Sequence, residues 1–152
     1  MFQHLLVPLD GSPAAEAALP VARALAARCG GRLTLVHVIK PAPWPAEMRA
    51  ELPDMESRVV DRELEVATAY LRHQEDALAA QGLAADALIM RRDSVVDGIL
   101  EAVEEVGADA IVMSTHGLTG LPRLMLGSVA EQVVRHTPVP VVLVRSQVET
   151  SE

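Results

Sequence analysis

Ile111-Val112-Met113-Ser114-Thr115-His116-Gly117-Leu118-Thr119-Gly120-Leu121-Pro122-Arg123-Leu124-Met125-Leu126-Gly127-Ser128 is the stretch that decides how the chain folds. It opens as an apolar run of strand type and closes at Ser128, which is followed by Val129-Ala130-Glu131. A serine with glutamate three residues later is a capping box, a helix-opening pattern. Between strand and helix lie Gly117, Gly120 and Gly127, together with several hydroxyls. Glycine has no side chain, so another group can approach its N–H closely. The first N–H groups of a helix lack internal partners, and the helix dipole adds positive charge there. A glycine-rich loop entering such a helix is a ready anion site, phosphate above all. The same residues also serve as an ordinary turn. The P-loop pattern is absent, since the only lysine, Lys40, is distant in sequence, and G-x-G-x-x-G is absent too.

Outward from that stretch, strand-like and helix-like segments alternate. Leu5-Leu6-Val7-Pro8-Leu9 is a nearly all-apolar strand, as a sheet covered on both faces requires. Asp10-Gly11-Ser12-Pro13 follows, with Ser12 as helix cap and Pro13 at the first helical position. The Ala-rich helix predicted there runs toward Cys29, kinked at Pro20 and ended by Gly30-Gly31. Residues 33–39 form a second strand, and a proline-rich connection holds a short helical turn at 46–52. A long helix is predicted over 54–81, with Val60, Leu64, Ala67, Leu71 and Leu78 as one apolar stripe. The third strand lies within 86–90, and a helix capped by Ser94 ends near Gly107. The fourth strand is 110–114, the next helix 128–136 and the fifth strand 139–144. Proline in that last strand marks an edge, and an apolar edge calls for cover by a second copy.

The whole reads as one α/β domain over residues 1–146 with a polar tail at 147–152, built as a doubly wound parallel sheet with helices on both faces. Half of the residues are hydrophobic, but Phe2, Trp44 and Tyr70 are the only aromatics, so the core is aliphatic. Thirteen basic against twenty-one acidic residues give a net charge of −8, which speaks against nucleic acid or an anionic membrane as partner. No run approaches about 18 apolar residues, and no signal-peptide pattern precedes the first strand, so a cytoplasmic protein is expected. The single cysteine, Cys29, is expected as an inert buried thiol.

Ligands of open α/β sheets bind beyond the carboxyl ends of the strands, where the strand order reverses. On that rim fall Asp10 and Ser12, Val38, and Ser114, Thr115 and His116, beside the helix opened by Ser128. One carboxylate, several hydroxyls and a set of helix N–H groups suit a nucleotide. Val7-Pro8-Leu9-Asp10-Gly11-Ser12, His37-Val38, 108–113, Ser114-Thr115-His116-Gly117, then nine residues, then Gly127-Ser128, and Pro138-Val139-Pro140-Val141-Val142 resemble the universal stress protein family over nearly the whole chain. The resemblance implies sheet order 3-2-1-4-5 in a Rossmann-like, adenine nucleotide alpha hydrolase-like fold, and a homodimer through Val139–Val144. It also implies the ATP-binding branch, whose motif is G-x-x-G, nine residues, then G and Ser or Thr. Ser114 stands where that motif has its first glycine, and adds a hydroxyl there.

By this resemblance Pro8, Asp10, Ser12, Val38 and Met113 would line the adenine and ribose pocket. Ser114, Thr115, His116, Gly117, Leu118, Thr119, Gly120, Gly127, Ser128, Val129 and Ala130 would hold ribose and phosphates. ATP is the expected ligand, ADP or AMP being alternatives, with Mg2+ or Mn2+ bound through the phosphates. Asp10 reads either as ligand contact or as partner of its own turn, and Arg123 either as phosphate contact or as solvated. His37 reads as a satisfied structural histidine, and Met125 as core or dimer contact. No nucleophile–base pair or metal-ligand spacing is evident, so hydrolysis is expected to be slow at most. The function implied is a nucleotide-dependent stress-response module with a protein partner of unknown identity. The alternative is a stress protein of the same fold that binds no nucleotide and acts through protein contacts.

Overall fold

A computed structural model describes residues 1–116 and 126–146. In chain order its elements are β1 (His4–Pro8), α1 (Pro13–Glu16), α2 (Ala18–Cys29), β2 (Arg32–Ile39), α3 (Ala46–Glu51) and α4 (Pro53–Ala79). They continue with β3 (Ala85–Arg91), α5 (Val95–Val106), β4 (Ala110–Ser114), α6 (Ser128–His136) and β5 (Val141–Val144). All strand pairs are parallel and the order is β3-β2-β1-β4-β5. That is the doubly wound order expected from the resemblance.

Strand side chains alternate between faces, and here the alternation sorts two cores. Leu5 and Val7 of β1, Leu33 and Leu35 of β2 and Ala110 and Val112 of β4 pack against α2 and α4. Leu6, Val36, Ile111 and Met113 pack on the other face, against α5 and α6. Leu5, Leu6, Val7 and Ile111 are wholly buried, which is why the central strands are apolar without alternation. After β1 the chain crosses to β2, whereas β4 lies on β1's other side. The reversal therefore falls between β1 and β4.

Several local expectations are corrected. The helix after Pro13 does not kink at Pro20 but breaks at Ala17, whose N–H turns to the Ala14 carbonyl at 3.3 Å. Pro20 thereby falls in the first turn of α2, where its missing N–H removes no intrahelical hydrogen bond. Cys29 is half-buried at the last position of α2 rather than buried on its sheet face. In α4 only Ala67, Leu71 and Leu78 of the expected stripe are buried. At 1.5 Å per residue the helix is about 40 Å long, more than the sheet can cover. Leu64 and the neighbouring Met48, Leu52, Met55 and Val66 stay exposed. β5 is shorter than expected, starting after Pro140, whose carbonyl accepts the Ile111 N–H at 2.9 Å. A proline can accept in this way but not donate. β5 lies at the sheet edge, as expected, although Pro140 falls just before the strand and not within it.

The amino ends of the strands are tied by polar contacts. Asp109 accepts the Gln3 and His4 backbone N–H groups at 2.9 and 3.3 Å. Buried His4 lies with Nε2 2.7 Å from Thr34 Oγ1 and with Nδ1 3.2 Å from Arg32. Arginine only donates, so Nδ1 accepts and Nε2 carries the proton that Thr34 receives. Burial, and then the Arg32 charge, push the His4 pKa below its usual value. A histidine lowered in this way binds its proton more readily in the unfolded chain, so its stabilisation is present above pH 6.5 and is lost as pH falls below it. His4→Leu should cost about 1–3 kcal/mol at pH 7.5, from the unpaired Thr34 hydroxyl. Urea unfolding of both proteins should show the wild-type margin narrowing between pH 7 and pH 5.

Candidate functional site

Each strand that ends at the β1–β4 reversal carries part of the rim. Beyond β1, Leu9 donates its N–H to the Val36 carbonyl at 2.8 Å, and the chain turns at Asp10-Gly11-Ser12. Gly11 has φ +85°, a conformation that side-chain-bearing residues avoid. Asp10 Oδ1 accepts the Ser12 N–H at 2.9 Å and the Ser12 hydroxyl, while Ser12 Oγ accepts the Ala15 N–H at 3.1 Å. The first oxygen of Asp10 thus holds its own turn. Oδ2 takes no hydrogen bond from the described residues, so both readings of this residue fit its geometry.

At the end of β2, His37 Nδ1 donates to the Leu9 carbonyl at 2.7 Å and so joins β2 to the β1 turn. That bond satisfies Nδ1, as the structural reading requires, but His37 also lines the cavity at this rim. Val38 follows and is pressed against α5: a Cβ built on Gly98 would lie 2.7 Å from Val38 Cγ1 and 2.8 Å from Cγ2. Gly98 is therefore glycine for closeness of packing, not for backbone freedom.

Beyond β4, Thr115 donates its N–H to the Val144 carbonyl at 2.9 Å, and Ser114 Oγ donates to the His116 carbonyl at 2.5 Å. His116 Nδ1 lies 3.0 Å from Thr115 Oγ1, and its buried Nε2 has no hydrogen-bond partner among the described residues. An orphaned buried ring nitrogen costs free energy unless something else meets it.

The chain re-enters at Gly127, whose N–H donates to the Thr115 carbonyl at 2.8 Å. A Cβ on Gly127 would sit 2.6 Å from that oxygen, so no other residue fits. The capping-box expectation is corrected here. Gly127, at φ −60° and ψ 152°, is the N-cap, and its carbonyl accepts the Glu131 N–H at 2.9 Å. Ser128 is the first helical residue, exposed and not capping, because the long-range contact with Thr115 moves the helix start back by one position. The helices after β1 and β3 are closed by the Ser12 and Ser94 hydroxyls, but the N-cap residue of α6, Gly127, has no side chain, and no other described residue caps the helix. The N–H groups of Ser128, Val129 and Ala130 therefore lack intrahelical acceptors.

These segments enclose a cavity of about 410 Å³, a volume typical of small-molecule sites. Of the residues expected to bind a ligand, Pro8, Asp10, Val38, Met113, Ser114, Thr115, His116, Gly127, Ser128, Val129 and Ala130 line it. Ser12 does not; its hydroxyl is spent on Asp10 and Ala15 behind the wall. Gly117, Leu118, Thr119 and Gly120, with Arg123 and Met125, lie outside the described residues. Unforeseen are Leu9, Val36, Val95 and Ile99, which make one wall apolar, and Lys40. Lys40 stands two residues past Val38, so the rim rule that selected Val38 would have found it.

Comparison with known proteins bears on this arrangement. The family model described as the universal stress protein family matches residues 1–145. A universal stress protein of Thermus aquaticus is 36% identical over 145 residues, covering 95% of this chain and all of its own. The solved universal stress protein UspA of Lactobacillus plantarum superposes with TM-score 0.82 at 25% identity, over 95% of this chain and 98% of its own. A universal stress protein crystallised in complex with cAMP gives TM-score 0.67 at 25% identity, over 95% and 97% of the two chains.

Gly127→Ala should force Thr115 and α6 apart. A loss of about 1–3 kcal/mol in thermal or urea unfolding is expected, as for an overpacked buried site.

Proposed function

The chain belongs to the universal stress protein family, and on that premise we propose that it binds ATP in the cavity between β1, β4 and α6, as a nucleotide-dependent stress-response module. The observation that carries this reading is the open start of α6. Its amides and dipole are presented to the cavity without a side-chain cap, and the adjoining Gly127 leaves its backbone bare.

The residues fit the group at three points. Ser128, Val129 and Ala130 N–H groups and the exposed Ser128 hydroxyl would receive phosphate oxygens. The apolar wall of Val36, Val38, Val95 and Ile99 would take the flat base. Asp10 Oδ2 would accept from a ribose hydroxyl or an exocyclic amine, held in place by the bonds Oδ1 makes to Ser12. His116 Nε2, without a partner among the described residues, supplies a further polar atom, and Lys40 a cation in the lining. When bound, the nucleotide supplies negative charge and a hydrolysable anhydride. A divalent cation, Mg2+ or Mn2+, would be held by the phosphates and water. Among the described residues no group of three or more metal-ligating side chains gathers. Hydrolysis by this set is expected to be slow at most, since the described lining holds no evident nucleophile–base pair.

ADP and AMP-type nucleotides are expected to compete, since the cavity offers the base and ribose contacts to each; the cAMP complex of a relative is consistent with that. We also propose a homodimer through β5, whose Leu143 is 37% exposed on an apolar edge. No helix among the described residues is long and apolar enough to cross a membrane.

Calorimetric titration should give saturable heat with ATP and ADP, and no heat at millimolar ligand would overturn the nucleotide reading. Gly98→Ala should push Val38 into the base wall and weaken ATP about tenfold, with Val38→Ala restoring affinity in the double variant. Light scattering should return twice the chain mass for the wild type and a monomer for Leu143→Lys.

A further inference from the structure

We propose that Tyr70 of α4 is a positioning residue for the nucleotide site, locking the turn that presents Asp10 from the far face of the sheet. The proposal rests on the nucleotide reading of the cavity and adds to it a residue that does not touch the cavity at all.

The connection is a chain of hydrogen bonds. Tyr70 is the only tyrosine of the chain. Its hydroxyl donates to Glu16 Oε1 at 2.7 Å, and Gln74, one turn further along α4, donates to the same oxygen at 3.3 Å. Glu16 ends α1, directly before the break at Ala17. The start of α1 is the Ser12 cap, and Ser12 in turn donates twice to Asp10 Oδ1. The Gly11 N–H also faces the phenol oxygen, an interaction that alone would favour the phenolate. Burial, then the Glu16 carboxylate and, less strongly, the Asp10 charge outweigh it and hold the phenol protonated far above its usual range. The hydroxyl therefore remains a donor at every physiological pH.

Such a clamp has a physical reason. α1 is a single turn of four residues, too short to be stable alone. The Gly11 turn lies at φ +85°, where glycine is freest to move. Without an external tie, the Asp10 carboxylate would wander with its turn. α4 is anchored by Leu71, wholly buried beside Tyr70 in the same core as Ala15 of α1, and so offers a fixed post on the face of the sheet away from α5 and α6. A group that acts only by fixing Asp10 has no effect once Asp10 no longer contributes.

That property gives the test, a double-mutant cycle on ATP affinity by calorimetry. Tyr70→Phe should weaken ATP roughly five- to tenfold, less than the full worth of a hydrogen bond to a charged group because Tyr70 acts on the ligand only through the Asp10 turn. In the Asp10→Asn background the same change should alter affinity less than about twofold. Glu16→Gln, which keeps the phenol and the shape of the pocket behind it, should weaken ATP in the same direction and serves if Tyr70→Phe fails to fold. Unchanged ATP affinity in a folded Tyr70→Phe, or an equal loss in both backgrounds, would overturn the role of Tyr70 while leaving the nucleotide site standing. A wild-type protein that binds no ATP would overturn the site itself.

Discussion

The Gly127 N–H and the Thr115 carbonyl meet at 2.8 Å, with no room for a Cβ between them. That contact fixes where α6 begins. Because it draws Gly127 into the N-cap position, Ser128 is carried into the first turn, and its hydroxyl no longer closes the helix. The same contact holds the start of α6 over the carboxyl end of β4, beside the turn leaving β1. Backbone packing thus adds the positive end of a helix dipole to an opening that Lys40 also lines, in a protein of net charge −8.

Around that opening the sheet acts as a ruler. Parallel pairing brings the ends of β1, β2 and β4 to one rim, and the reversal between β1 and β4 leaves the crevice uncovered there. Each neighbour then contributes one kind of chemistry. The β1 turn offers a carboxylate whose first oxygen is spent on rigidity and whose second is available. β2 and α5 offer an aliphatic wall, tightened by the absence of a Cβ at Gly98. β4 offers hydroxyls and a histidine with an orphaned nitrogen. The distribution is polar at one end and apolar at the other, which matches an amphiphilic ligand of nucleotide size.

The element order and the family motif were legible because they depend on local signals. Apolar runs marked β1 and β4, and glycines at positive φ ended α2 and α5 where expected. The failures share a cause. A Ser-x-x-Glu pattern looks the same whether serine is the cap or the first helical residue, and only the distant Thr115 carbonyl decides. The break at Ala17 fell outside the reading because Pro20 is tolerated in a first turn as well as in a kink. The exposed half of α4 followed from helix length against sheet size, a comparison that periodicity does not contain. The packing role of Gly98 carries no local signal, since its partner Val38 is sixty positions away in sequence. Residues 117–125, which carry much of the motif, lie outside the described residues.

The central claim is that the uncapped amides at the start of α6 receive the phosphates. Amide proton and nitrogen shifts during an ATP titration test it most directly. The account predicts that Ser128, Val129 and Ala130 move together and saturate with the calorimetric affinity, while His4 and Asp109 at the opposite end of the sheet stay still. Saturable ATP binding that leaves those three amides unmoved would contradict it.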